Sequence, residues 1–465
     1  MPHDPALDRV LDPVLDRIDA DLPQALSRLQ SLMRIPSIST DPAYKDSCDA
    51  AADWLVKDLE SLGFAASKRT TPGHPMVVAH SGDTGPHLLF YGHYDVQPVD
   101  PVSLWAHDPF DPQIEDTPAG KVIRGRGASD DKGQLMTFIE ACRAWKAVHG
   151  SLPARITMFF EGEEESGSPS LVPFMKDNAA ELTADVALIC DTGLFADKVP
   201  TIITQLRGLL GEEITLTGPD KDLHSGMFGG AAINPIRVLT KILGGLHDDT
   251  GRVTVPDFYD GVPEPDPAVK AGWQSLGFDH AGFLGGVGLS ELAGEQGRSA
   301  LEQLWSRPTC EINGIIGGYT GDGFKTVLPS QARAKVSFRL VGHQDPHAIR
   351  RNFRKLVQDM LPPDCTVSFK DHGASPASQM DISGPSFEKA RGALSREWGV
   401  EATYTGAGGS IPVAGYFKTH LGMDAMLIGF AKDDDQIHSP NEKYDLDSFQ
   451  KGIRSWARIL SALSQ

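Results

Sequence analysis

Cysteine is scarce in this chain. Five occur in 465 residues (Cys48, Cys142, Cys190, Cys310 and Cys365), an odd number, widely scattered and never at CxxC spacing. That pattern excludes a disulfide framework and a thiolate zinc site, so any metal bound here is held by carboxylate and imidazole. Long apolar runs are missing too: no stretch of about 18 apolar residues occurs, which argues against a membrane-spanning helix. The first residues, MPHDPALDRVLDPVLDRIDADL, are acidic and amphipathic and lack the basic and apolar segments of a secretion signal, so a cytoplasmic protein is expected. Basic residues are outnumbered. Against 62 Asp and Glu stand 43 Lys and Arg, a formal charge of −19 that repels nucleic acid and anionic membranes, and neither is expected as a partner. Internal repeats and low-complexity segments are also absent.

What remains is the composition of an ordinary globular protein, 40% apolar and 23% charged. The length exceeds one ordinary core, so two or three domains are expected. Apolar residues recur at helical spacing over 14–33 and 48–62, the second run closed by Gly63. Strand-like runs HPMVVAH, HLLFYGH and KVIRGRG lead to DKGQLMTFIEACRAWKAVHG, whose periodicity predicts a helix ending at Gly150. The strand ARITMFF, a helix over 171–182 and the strand DVALICD continue the alternation of an α/β sheet covered by helices. The character changes after Thr201. IITQLRGLLGEEITLTG offers two strands, INPIRVLTKILGGL a helix, QARAKVSFRLVG a strand, PHAIRRNFRKLVQDML a helix and TVSFK a strand, which predicts a smaller α+β unit of antiparallel sheet with helices on one face. Between them, 251–300 is a long Gly-, Pro- and acid-rich passage, hard to place in a compact core. A helix over 386–398, a Gly-rich turn, the strand DAMLIGF and a helix over 447–463 then resume the α/β pattern. One domain interrupted by another is the expected organisation, with 1–203 and 374–465 forming the first and 204–373 the second.

Acids and histidines gather where such strands end. In LLFYGHYDVQP, His93 and Asp95 lie two apart and so share a face of an extended segment, where the carboxylate can orient the imidazole. In GRGASDDKGQ, Asp130 and Asp131 precede a helix, a place where an acid also serves as a cap. EGEEESGS supplies Glu163, Glu164 and Glu165, ICDTG supplies Asp191, and DDDQIHSPNEKY places His438 before the last helix. Each has a bland alternative as a turn, cap or surface residue. Taken together they are what two adjacent divalent cations require. Such a pair lies about 3.5 to 4 Å apart, so one carboxylate bridges while each ion keeps its own His and acid, and a further carboxylate accepts a proton from water.

YGHYDVQP, GRGASDDKG, EGEEESGS, the Asp after LIC, DLHSG, GGSIPV and HSPNE resemble, in order and spacing, the M20 family of co-catalytic metallopeptidases, above all its cytosolic nonspecific dipeptidase and carnosinase branch. The resemblance spans nearly the whole chain. It implies a zinc-peptidase-like α/β catalytic domain with an inserted α+β lid and dimerisation domain, and two divalent ions per subunit, Zn or Mn with Co also compatible. It further implies that Asp130 bridges the ions, that His93 and Asp191 complete one site and Glu165 and His438 the other, and that the Asp130–Asp131 peptide is cis. Glu164 resembles the general base and Asp95 the partner of His93, while Glu163 reads as an ordinary loop acid. In the lid, His224 of DLHSG matches a histidine that stabilises an oxyanion in the partner subunit's site. Thr326 in KTVLP, Arg339 in FRLVG, Ser410 in GAGGSIP and His372 in KDHGASP match substrate-binding positions, Arg339 pairing with a terminal carboxylate. This chain departs from the dipeptidases at Gly406 and Ala407, where they carry an Arg-Glu pair.

The resemblance thus implies hydrolysis of a small dipeptide-like substrate by a homodimer joined through its lids. The alternative on the same scaffold is a deacylase of N-acyl or N-carbamoyl amino acids, which Asp rather than Glu at position 191 disfavours. A metal-free scaffold that kept only the fold is a third reading, opposed by competent residues at every ligand position.

Overall fold

The apolar runs HPMVVAH, HLLFYGH and ARITMFF form the strands Met76–Ser81, His87–His93 and Arg155–Glu161, each buried over most of its length. The computed structural model describes residues 5–408 and 411–465. It divides into two compact units, Met1–Thr204 with Met380–Tyr404 and Tyr416–Gln465, and Gln205–Gln379 with Thr405–Gly415.

In the first unit the strands lie in the order Ala65–Arg69, Met76–Ser81, Arg155–Glu161, His87–His93, Val186–Ile189, Ala425–Leu427, Thr201–Leu206. His87–His93 runs parallel to both Arg155–Glu161 and Val186–Ile189, as the strand and helix alternation predicts. The helix Lys132–His149 is fixed to this sheet by aromatic packing: Phe138 stacks on Phe90 with centroids 3.9 Å apart, and Trp456 meets both rings edge-on. Helices Pro5–Met33 and Leu446–Leu463 pack beside it. Gly150 ends that helix in the left-handed conformation at φ 73°, the position where a side chain would be strained.

Three elements differ from expectation. The first helix begins at Pro5 rather than 14 and runs through Pro13 and Pro23, since the packing of its apolar face outweighs two lost amide donors. The single helix expected over 171–182 is two, Leu171–Asp177 and Ala179–Leu182, parted at Asn178, whose side-chain amide bonds back to the Phe174 carbonyl at 2.9 Å. KVIR does not join the main sheet. As Gly120–Arg124 it lies between Gln113–Thr117 and Lys443–Asp445 in a separate three-stranded sheet, which ties GRGASDD to HSPNE.

The second unit is an antiparallel sheet in the order Thr309–Gly317, Gln331–Leu340, Gly208–Thr217, Thr366–Ser375. Alternation buries one face of the two middle strands, where Leu210, Ile214, Leu216, Phe338 and Leu340 meet Leu239, Ile242, Phe353 and Val357 from the helices Pro235–Gly244 and Pro346–Asp359. The passage 251–300 is not structureless. Asp266 and Asp279 cap the helices Pro267–Ser275 and His280–Gly285, and Glu295 forms a buried pair with Arg307 at 2.9 Å. No described helix is long and apolar enough to cross a membrane.

Candidate metal centre

Parallel strands in register open their carboxyl ends on one edge, and the acids and histidines collect there. His93, beside Glu161, is the last residue of its strand. Glu164 and Glu165 begin the tight turn Glu164–Ser166 just beyond Arg155–Glu161, and Asp191 follows Val186–Ile189. Asp130 comes from the segment before helix Lys132–His149, and its peptide to Asp131 is cis, as the family resemblance implies. His438 lies in the loop before Lys443–Asp445 with a left-handed backbone, φ 62°.

These side chains form two groups that share Asp130. His93, Asp130 and Asp191 present donor atoms within 4.8 Å of one another, and so do Asp130, Glu165 and His438. The two oxygens of Asp130 are divided between them: Oδ1 lies 3.2 Å from His93 Nε2 and Oδ2 lies 2.9 Å from His438 Nε2. His93 Nε2 is 3.9 Å from Asp191, and His438 Nε2 is 3.4 Å from Glu165. A third acidic group, Asp434, Asp435 and Asp445, is already gathered around the Lys443 ammonium, 2.7 to 2.9 Å from each, with Lys432 also 2.8 Å from Asp445.

Electrostatics and unmet valences show that the shared groups fit divalent cations. Burial raises the Asp191 carboxyl well above the usual range, and the negative charge of Asp130 adds to it. Burial likewise raises Asp131, helped by Asp191, and it raises Glu164 against the opposing His93, with Glu165, Asp95 and Asp130 adding to it. Burial also disfavours charge on His93, yet Asp130 and Asp95 hold its imidazole protonated well above the usual value. His438 is pushed up to about 10 by Asp130 and then Glu165, while Asp130, despite burial, is held below the usual carboxylate range by His438 and His93. Divalent cations would relieve the same crowding of buried donors. His93 Nε2 and Glu165 Oε1 are buried without a hydrogen-bond partner among the described residues. Oxygen and imidazole donors of this kind suit zinc, manganese or cobalt.

The surrounding residues orient the donors. Asp95, fully buried, meets His93 Nδ1 with its backbone carbonyl at 3.1 Å and its carboxylate at 3.3 Å, and that carboxylate accepts the backbone amides of Glu164 and Glu165 at 3.3 and 3.1 Å, so one residue fixes both the imidazole and the acidic turn. Asp131 accepts the His93 amide at 3.1 Å. Neither Asp130 nor Asp131 caps the following helix through its side chain, which removes their bland alternative. Glu164 is half-buried, and its carboxylate accepts no hydrogen bond from the described residues.

Glu163 is not an ordinary loop acid. It is buried, and its carboxylate accepts the amides of His74 at 2.8 Å and Ser170 at 3.0 Å. A Cβ at Gly73 would overlap it at 1.4 Å, so the glycine makes room for this tie. Sequence reasoning also missed Gln97 and Glu442. Gln97 donates to Glu165 Oε2 at 2.6 Å, and its spacing of two from Asp95 and four from His93 carried the signal. Glu442, in the same HSPNE as His438, is wholly buried. It accepts the amides of Ser129 and Asp130 at 2.9 and 3.1 Å and, on its other oxygen, that of Gly127 and the Arg126 guanidinium at 2.7 Å. Burial pushes its carboxyl up to about 7 against the pull of Arg126.

The remaining residues singled out by sequence belong to the second unit. His224 is exposed between Leu223–His224 and the short helix Ser225–Phe228, with Nδ1 accepting the Gly226 amide at 3.0 Å. Thr326 adjoins it, its carbonyl accepting the Ser225 amide at 3.1 Å. Arg339 is half-buried on Gln331–Leu340, and His372 sits in a bulge of Thr366–Ser375 with Nε2 3.1 Å from Glu213. Ser410 lies outside the described residues.

Residues 89–462 match the profile of peptidase family M20/M25/M40. The Cys-Gly metallodipeptidase dug1 of Schizosaccharomyces pombe is 30% identical over 471 residues, covering 98% of this chain and 98% of that protein. The Beta-Ala-His dipeptidase of Rattus norvegicus is 28% identical, over 96% of this chain and 91% of its own length. Among solved structures, the M20 family metallo-carboxypeptidase Sso-CP2 of Sulfolobus solfataricus is similar at a TM-score of 0.78 and 32% identity, over 95% of this chain and 99% of the other.

Proposed function

The chain belongs to peptidase family M20/M25/M40, and from that premise we propose that it is a metal-dependent dipeptidase in which Glu164 is the general base. The carrying observation is the division of Asp130 between two donor groups, each completed by its own histidine and acid. His93, Asp130 and Asp191 would hold one divalent ion, and Asp130, Glu165 and His438 the other. Zinc or manganese, with cobalt matching the same donors, would supply Lewis acidity toward the scissile carbonyl and acidify a water.

Glu164 takes the proton of the attacking water and returns it to the leaving amine nitrogen. Its unengaged carboxylate and its raised proton affinity, caused by burial and the neighbouring acids, support that role. Asp95 keeps His93 in the productive tautomer and holds the turn that carries Glu164. His224 donates to the tetrahedral oxyanion, Arg339 pairs with the terminal carboxylate, and Thr326, Ser410 and His372 contact the substrate. The second unit is the lid, and through it two copies associate. The edge strand Thr309–Gly317 supports this, exposing Ile315 and Ile316 beside an open row of backbone groups. Five free, buried cysteines support a reducing compartment, the cytoplasm.

The deacylase alternative draws less support, since the relatives matched along nearly the whole chain are named for peptide bonds. A panel of dipeptides beside N-acetyl and N-succinyl amino acids, assayed with added Mn²⁺ or Zn²⁺, separates the two. Turnover of dipeptides is expected, and turnover of acyl substrates alone overturns the reading.

A further inference from the structure

The Glu164 carboxylate accepts no hydrogen bond from the described residues, so its position is set by the backbone that carries it. Its neighbour differs, because the Glu165 side chain is held directly by Gln97 at 2.6 Å. Slack in the turn Glu164–Ser166 would therefore be felt at Glu164 first. One hold on that turn is Asp95, through the amides of Glu164 and Glu165. The second is Glu163. Its carbonyl accepts the amides of Ser166 at 3.1 Å and Ser168 at 2.7 Å and the Ser166 hydroxyl at 3.2 Å, which closes the turn on itself. Its side chain reaches two other segments: Oε1 accepts the His74 amide at 2.8 Å, just ahead of the strand Met76–Ser81, and Oε2 the Ser170 amide at 3.0 Å, at the start of helix Leu171–Asp177. Glu163 is 2% exposed, so moving its carboxylate would strand both donors away from water.

Gly73 makes this possible. It is exposed, yet a Cβ there would fall 1.4 Å from Glu163 Oε1, the oxygen that holds His74. Its φ lies outside the left-handed region, so the backbone admits alanine and it is the carboxylate that requires glycine. We infer that Glu163 is a positioning residue for catalysis: with Gly73 leaving it room, it holds the turn so that the Glu164 carboxylate stays within reach of the proton it takes. The inference rests on Glu164 being the base of the dipeptidase reading, and adds a residue that is neither ligand nor base.

The test measures kcat, KM and bound Mn²⁺ per subunit during dipeptide hydrolysis by the wild type, Glu163→Gln, Gly73→Ala and Glu164→Ala, and by each of the first two combined with Glu164→Ala. Glu163→Gln keeps the size of the side chain but turns an amide donor toward one of the two N–H groups, while Gly73→Ala adds one methyl at an exposed position. Each alone is expected to lower kcat roughly 10- to 100-fold, with KM within about three-fold and bound metal as in the wild type. Neither should lower turnover further in the Glu164→Ala background, because the loss acts through that carboxylate. Gly73→Ala decides alone if Glu163→Gln does not fold. An unchanged kcat, a loss that follows departing metal, or a loss that multiplies with that of Glu164→Ala overturns the positioning role and leaves the dipeptidase reading standing. A wild type that hydrolyses no dipeptide, or a Glu164→Ala variant with undiminished turnover, removes both.

Discussion

Asp130 turns one oxygen toward each histidine, and the residue that holds the backbone presenting them is Glu442, which accepts the amides of Ser129 and Asp130. Replacing Glu442 by Gln strands the Arg126 guanidinium in a buried site. A loss of about 3 kcal/mol is expected, read as a lower unfolding temperature, together with weaker metal retention in dialysis. Unchanged values for both would show that the amide loop holds itself. The ligand candidates His93, Asp130, Glu165, Asp191 and His438 were legible in sequence because each sits at a strand end or helix start, where spacing and residue type carry meaning. Glu442 and Glu163 were not, because their partners are backbone amides or side chains brought near only by folding, and Gln97 was passed over although its spacing from His93 and Asp95 carried a signal. Glu163 was misread for that reason: an acid tied to two amides looks, in sequence, like any other loop acid.

Elements were legible where one period dominates. Gly208–Thr217 and Gln331–Leu340 alternate cleanly, and Lys132–His149 ends at the expected glycine. The misjudged elements are those governed by competing local bonds or distant pairing, such as the break at Asn178 and the strand Gly120–Arg124, one of whose two partners lies over 300 residues onward. The passage 251–300 hid its order in caps rather than in apolar periodicity. Directly after it the helix Ala300–Trp305 is closed by a capping box of Ser299 and Glu302. Burial opposes ionisation of Glu302, yet the Ser299 amide and Lys270 bring its carboxyl down to about 2, from 4.5 when free. A carboxyl depressed on folding contributes stability that is full above its unfolded value and is lost as pH falls from about 4.5 to about 2. Glu302→Gln should therefore unfold more readily than wild type at pH 7, by about 2 to 3 kcal/mol, and match it near pH 2. Thermal scans across that window check the convergence, and a gap independent of pH contradicts it.

At the scale of the molecule, the chain interrupts one unit to build another, and association through the second would carry His224 into the partner's site. That arrangement has a signature. Glu164→Ala should lower turnover roughly 10²- to 10⁴-fold, and His224→Ala should also be nearly inactive. Mixing the two variants should restore activity, because some sites in the mixed dimers then combine an intact Glu164 with the partner's intact histidine. A mixture no more active than its parts places His224 within its own subunit. The central claim, however, is two cations on a shared Asp130, and the most direct measurement is a titration of metal-stripped protein with Mn²⁺, following bound metal per subunit and dipeptide turnover together. The account predicts that turnover rises only as binding approaches two ions per subunit, and that Asp130→Ala binds neither tightly. Full turnover at one ion or fewer, or an Asp130→Ala variant that still holds two, would contradict it.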